Sequence, residues 1–292
     1  MNWSKLNTLF PSRADQPLLW LLRLCALTAA TVVLLILTFL VIESRPALRD
    51  VGIARFFGDR SWHPTEGEYN FMPMLSGTVY CSLGALLLAV PSGIAAALFS
   101  RWYAPASVAG LFRRLIELLA GIPSVVYGLW GLTTLAPLIG RLHAPGTSLL
   151  AGILILALMI LPTIALTADA ALAAVPQAYL RGAAALGLSR WGMISGVALP
   201  ATRSGIATGI LLAAARAMGE TMAVLMVCGN VVQYPDSLFD PVRTLTANIA
   251  LEMAYAMGDH RAALFVSGLA LMLLMLAMVG AAGLLSRGRR YA

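Results

Sequence analysis

Long apolar runs alternate with short charged segments along this chain. Uncharged stretches lie at Leu24–Ile42, Phe71–Phe99, Leu118–Gly140, Ala144–Ala168 and Ala262–Ser286. The hydrocarbon core of a bilayer takes about 20 mostly apolar residues of helix, so each run is of spanning length. A sixth run, from Ser204 to about Asn230, is interrupted only by Arg216 and Glu220 and reads as a further span. The pattern predicts an all-α, polytopic membrane protein with six transmembrane helices. Pro91, Pro123 and Pro162 fall inside spans two, three and four and are expected to kink them. Neighbouring helices can re-satisfy the freed carbonyls.

Composition agrees with a lipid solvent. Of 292 residues, 60% are hydrophobic and 11% charged, where a soluble domain carries about 25% charged residues. The net charge of +7 comes from one lysine and nineteen dispersed arginines, which is not the clustered face that nucleic acid requires. Twelve basic residues fall on one side of a six-span layout and seven on the other, with Arg216 inside the membrane. The positive-inside bias predicts both termini in the cytoplasm. Nine of the thirteen acids lie on the opposite side, in the loops at 43–70 and 231–261. The first apolar run, preceded by more than twenty residues and followed by no small-residue cleavage site, reads as a retained anchor.

The expected organisation is an N-terminal cytoplasmic segment and first span at 1–42 and an outer loop at 43–73. A five-helix core follows at 74–285, then a basic cytoplasmic tail at 286–292. Cys25, Cys81 and Cys228 lie in apolar stretches without CxxC spacing and read as ordinary thiols. His63, His143 and His260 are far apart in sequence and show no metal-ligand spacing. Glu117 and Asp169 read as charges at helix ends, and Tyr127 and Trp130 as packing or interfacial aromatics.

The inner loop at 174–200 carries Val175-Pro-Gln-Ala-Tyr-Leu-Arg-Gly-Ala-Ala-Ala-Leu-Gly187. Pro176 can open a helix, and Gly187 can stop it by going left-handed. The helix is too short to span. Its small residues, Gly182–Ala185, allow close approach by a partner, as in helix-in-groove docking. A second short segment, Arg190–Val197, leads to Leu199-Pro200 and back into the membrane.

This loop resembles the cytoplasmic "EAA" loop of binding-protein-dependent ABC importers. The spacing is met by Arg181, Gly182, Ala183, Gly187, Val197, Leu199 and Pro200, with Arg181 where the family has glutamate and Gly182 where it has the first alanine. The resemblance implies a coupling helix seated in a groove of a separate ATPase. The chain itself has no GxxxxGK[ST] loop, and its one lysine, Lys5, follows no glycine-rich run. ATP and magnesium are therefore expected on the partner, with no cofactor or metal in this chain and no enzymatic chemistry.

Arg216-Ala-Met-Gly-Glu220 places two charges inside span five. Arg216 lies roughly 20 Å of helix beyond Arg203, near mid-membrane. Charges there are costly and tend to face a bundle interior or a water-filled path. The i, i+4 spacing lets the two meet on one helix face, either as a packing lock or as an electrostatic element in an anion's route. Gly219-Glu-Thr-Met-Ala-Val224 and Ile122-Pro-Ser-Val-Val-Tyr-Gly-Leu-Trp-Gly131 resemble the PstC-type permeases of phosphate-specific transporters. The outer Ser61-Trp-His-Pro64 resembles a further element of that family, with His63 as a departure. The resemblance implies a type I importer (MetI-like) core in the bacterial inner membrane and a translocation path containing Arg216 and Glu220. It also implies a PstA-like permease, a PstB-type ATPase dimer and a PstS-type phosphate-binding protein as partners. A same-fold permease for molybdate or sulfate, an ATP-independent channel and a membrane-embedded enzyme are the alternatives. Removing the ATPase separates importer from channel. No converging nucleophile, acid-base or metal residues suggest an enzyme.

Overall fold

A computed structural model describes residues 16–287. The N-terminal segment before Gln16 and the end of the basic tail lie outside the described residues. Helix α1 (Gln16–Ala47) runs into a wide turn at Leu48–Gly52, followed by α2 (Arg55–Gly58). The antiparallel strands β1 (Trp62–His63) and β2 (Glu68–Tyr69) form a small hairpin, the only sheet among the described residues. Then come α3 (Met72–Leu98), α4 (Ala106–Gly121), α5 (Ser124–Trp130), α6 (Ala136–Gly140) and α7 (Leu149–Ala173). The chain continues through α8 (Gln177–Ala185), α9 (Arg190–Met193), α10 (Leu199–Gly219), α11 (Met222–Val227), α12 (Leu245–Glu252) and α13 (Gly258–Arg287).

Five of these rods are long and apolar enough to cross a membrane, and the bent arm of α4 with α5–α6 makes a sixth if taken as one span. The expectation of six spans therefore holds, but two of them are not straight. At Ile122-Pro123 the chain turns by 93°. Ile122 is extended there (ψ 127°), as the residue before a proline prefers. The expected span Leu118–Gly140 is thus corrected to a bent pair, Ala106–Gly121 and Ser124–Gly140, with the break inside the expected run. Pro91 and Pro162, by contrast, sit within unbroken helices.

Helix α7 is the centre of the bundle. It packs against α3, α4 and α10 and supplies the middle of the core with Ile155, Leu156, Met159, Ile160 and Ile164. Small residues set the helix spacing: a Cβ on Gly93 would lie 2.9 Å from Ile164. Helix α1 packs along α13. One end of the bundle carries the hairpin and a second cluster around Phe56, Trp62, Phe71, Met74 and Leu264. The other end carries α8, fixed by a third cluster of Ala97, Ala168, Leu172, Ala198 and Ile206 against which Leu180 packs.

Candidate translocation and coupling site

Helix α10 stops at Gly219. Glu220 is extended (φ −68°, ψ 131°) and α11 starts two residues later. An i, i+4 ion pair needs helical backbone through both residues, and here the backbone leaves the helix before Glu220. Among the described residues neither Arg216 nor Glu220 joins an ion pair. The expected contact on one helix face is therefore not formed. Instead the Glu220 carboxylate accepts the Ala223 N–H at 3.1 Å, and its carbonyl accepts the Thr246 hydroxyl at 2.7 Å. Arg216 is exposed, with Nη1 3.5 Å from the Thr163 hydroxyl. Thr163 lies just past the middle of α7, so Arg216 sits at mid-bundle depth, as its distance from Arg203 predicts. Arg216 thus presents a guanidinium with no ionic partner among the described residues, near the half-exposed Glu220.

Beyond α11 the chain reverses through two left-handed residues, Gly229 (φ +88°) and Asn230 (φ +58°). Arg243 Nε–H donates to the Asn230 carbonyl at 2.9 Å. Its Nη1 reaches Asn248 Oδ1 at 3.0 Å and Glu252 Oε1 at 2.7 Å. His63 and His260, remote in sequence, line one cleft of about 460 Å³ with Arg243, Glu252 and Tyr255. Sequence reading separated these residues and missed the network. Desolvation first, and the Glu252 carboxylate second, raise the Tyr255 phenol above its ordinary value against the opposing pull of Arg243.

At the opposite end, α8 ends as its sequence predicts. Gly187 has φ +74°. Its N–H donates to Ala184 O (3.0 Å), and the Leu188 N–H donates to Ala183 O (3.2 Å), the reciprocal pair of a Schellman cap. Pro176 occupies the cap position just before the helix. Ser189 caps α9 by accepting the Gly192 N–H at 3.2 Å. Ala183 is buried against the bundle, while Arg181 and Gly182 are exposed. Val197 lies in the wide turn Ile194–Ala198, and Leu199 and Pro200 open α10. The segment exposes Tyr179, Leu186, Leu188 and Trp191, an apolar surface beside Arg181 and Arg190. Asp169 anchors the same end: Arg101 Nε and Arg113 Nη1 lie 3.0 Å and 3.2 Å from its carboxylate oxygens. Glu117 pairs with Arg113 at 3.2 Å. Asp169 is buried and clamps α7 to Arg101 and to α4, and Glu117 lies within α4, so neither acid is simply a helix-end charge. Tyr127 spans the Pro123 bend, its hydroxyl donating to Leu119 O at 2.7 Å.

A bundle of packed spans, with the α10–α11 helix discontinuous and a short capped helix at one end, defines the class as a polytopic membrane subunit. The family model for the inner membrane component of binding-protein-dependent transport systems matches residues 89–291, and the chain belongs to that family. It is 38% identical over 237 residues to the probable ABC transporter permease YqgH of Bacillus subtilis (79% of this chain, 77% of the relative). It is 35% identical to the phosphate transport system permease PstC of Mesorhizobium japonicum (70% and 69% covered). PstC of Xylella fastidiosa Temecula1 is 34% identical (80% and 79%). Among solved structures, a chain of a bacterial alginate ABC transporter in complex with a periplasmic protein superposes with a TM-score of 0.68 at 17% identity (96% and 99% covered). A chain of the MetNI methionine ABC transporter, inward facing, gives 0.58 at 17% identity (75% and 93%). The structures establish the fold. The chain is a multi-pass inner membrane transport subunit, not an enzyme.

Proposed function

We propose that this chain is the PstC-type permease of an ATP-driven importer of inorganic phosphate. The observation that carries the reading is its similarity to PstC permeases at 32–35% identity over most of the chain. The exposed guanidinium of Arg216 beside Glu220 supports an anionic cargo. A PstA-like permease completes the path, and a PstS-type protein delivers phosphate at the hairpin end. A PstB-type ATPase dimer, holding ATP and magnesium, grips the loop around Arg181, Gly182, Ala183, Gly187, Val197, Leu199 and Pro200. Both termini lie in the cytoplasm on this reading.

The decisive measurement is uptake of labelled phosphate by the assembled complex in proteoliposomes. ATP is supplied on the ATPase side, and sulfate and molybdate serve as competitors. Phosphate uptake that requires ATP and resists excess sulfate or molybdate supports the reading. Uptake of either competitor in preference to phosphate overturns the cargo, and uptake without the ATPase overturns the importer.

The coupling role makes a separate prediction. A Cβ on Gly187 would meet no neighbour within 4 Å, so substitution there acts through backbone conformation alone. Left-handed geometry costs an ordinary L-residue about 1–2 kcal/mol, more for a β-branched one, and asparagine tolerates it. Gly187→Val is expected to reduce co-purification of the ATPase or raise ATP hydrolysed per phosphate moved, whereas Gly187→Asn stays close to wild type. Normal assembly and stoichiometry in the valine variant would make the loop a mere connector.

A further inference from the structure

Glu252 is buried at the C-terminal end of α12, and its carboxylate gathers donors from three other segments. Trp62 Nε1–H of the hairpin donates at 2.8 Å. Arg243 Nη1, from the loop before α12, donates at 2.7 Å. His260 Nε2, on the first turn of α13, lies 2.8 Å away. A carboxylate is acceptor-only, so the imidazole directs its hydrogen at Glu252. Such charge-assisted bonds are short and strong.

The other end of α12 touches the candidate path. Thr246 donates to the Glu220 carbonyl at 2.7 Å, and the Leu245 N–H donates to the Thr78 hydroxyl of α3 at 3.0 Å. Glu220 lies outside both α10 and α11, so a residue 26 positions further along the chain satisfies its carbonyl. Helix α12 has eight residues, about 12 Å end to end. A rod of two turns does not bend between its ends, so moving one end moves the other.

We infer that Glu252 is a positioning residue for transport. By clasping the hairpin, the Arg243 loop and α13, it fixes α12, and α12 through Thr246 fixes the break at Glu220. The function so assigned rests on the reading of Glu220 as a path residue. The mechanical link itself needs no cargo and can be tested without one.

The experiment uses the assembled transporter in membranes. The permease carries no native cysteine and a reporter cysteine in place of Thr221, beside the break. Glu252→Gln keeps the size of the side chain but turns one acceptor into a donor facing donors. It is expected to change the maleimide labelling rate at the reporter by about tenfold, the scale of one charged hydrogen bond lost. Thr246→Val severs the link and leaves the clasp intact. It should reproduce the change, and the double variant should add little to either. Glu252→Asp, which retains the carboxylate, should recover part of the wild-type rate. Glu66→Gln is the control, because Glu66 is exposed and its carboxylate has no partner among the described residues. In uptake assays Glu252→Gln should lower the maximal rate with little change in KM. Altered labelling at a cysteine replacing Thr65 in the hairpin, with an unchanged rate at position 221, would overturn the inference and leave Glu252 a tether. Should Glu252→Gln fail to reach the membrane, an unchanged labelling rate in Thr246→Val would overturn it equally. A failure of phosphate as cargo would leave every labelling result standing.

Discussion

Arg216→Gln and Glu220→Gln are each expected to lower ATP-driven phosphate uptake by more than about tenfold, with the chain still present in the membrane and still bound to its ATPase. An argument from sequence alone would attribute such a loss to an orphaned buried charge. The structure assigns a different cause. The two side chains do not pair, so neither substitution strands a partner. Glutamine at 220 retains an oxygen for the Ala223 N–H, so the start of α11 survives and only the charge is removed. Glutamine at 216 is two bonds shorter and gives up only the 3.5 Å contact to the Thr163 hydroxyl. The loss therefore reports on the electrostatics of the path. A double variant refines the point. If the two charges meet at another stage of the cycle, the combined loss falls short of the product of the single losses. Wild-type uptake in both single variants would remove the two residues from the path.

The second large effect lies where α10 crosses α7. A Cβ on Gly209 would stand 2.1 Å from the Thr167 hydroxyl and 2.8 Å from its Cβ. Rotating Thr167 could withdraw the hydroxyl, at the expense of its bonds to the carbonyls of Thr163 (2.7 Å) and Ile164 (3.1 Å). Its Cβ cannot rotate away, so Gly209→Ala must push the helices apart. Overpacking of this kind costs roughly 1–3 kcal/mol. It also shifts the turn carrying Thr163 relative to Arg216. Gly209→Ala should therefore lower the yield of folded chain in mild detergent and slow uptake, and Gly209→Leu should abolish both. Thr167→Gly in the same chain removes the obstructing atoms and should restore most of the alanine variant's yield. Full yield from Gly209→Leu alone would show that the crossing has slack.

The parts legible in the sequence were those fixed by local chemistry. The Gly187 stop depends on one residue's freedom to go left-handed, and the neighbouring pattern already announces a short helix. The spans announce themselves through hydropathy. Proline is a poorer guide. Pro162 is buried in the packed core and Pro91 faces outward, yet the helices run through both, while Pro123 follows Gly121 and Ile122 at a corner and turns the chain by 93°. The break at Glu220 was hidden because the apolar pattern continues across it and the group that sustains it, Thr246, belongs to another helix. The clasp was hidden for a related reason. Trp62 and Glu252 are 190 residues apart, and nothing in the vicinity of either marks the other as its partner.

Helix α1 has a consequence of another kind. None of its most apolar 18-residue stretch is buried by the rest of the chain, and its packing runs along α13. For most of its length, then, the only demand on α1 is greasiness, which Leu, Ile, Val and Phe meet about equally well. Such a segment stores little information per residue. Drift among apolar side chains should leave it working while its letters become unrecognisable between relatives. The positions on which the fold makes specific demands are concentrated in the remainder: the capped loop at Gly187, the tight crossing at Gly209, and the polar threads that tie Glu220 to Glu252.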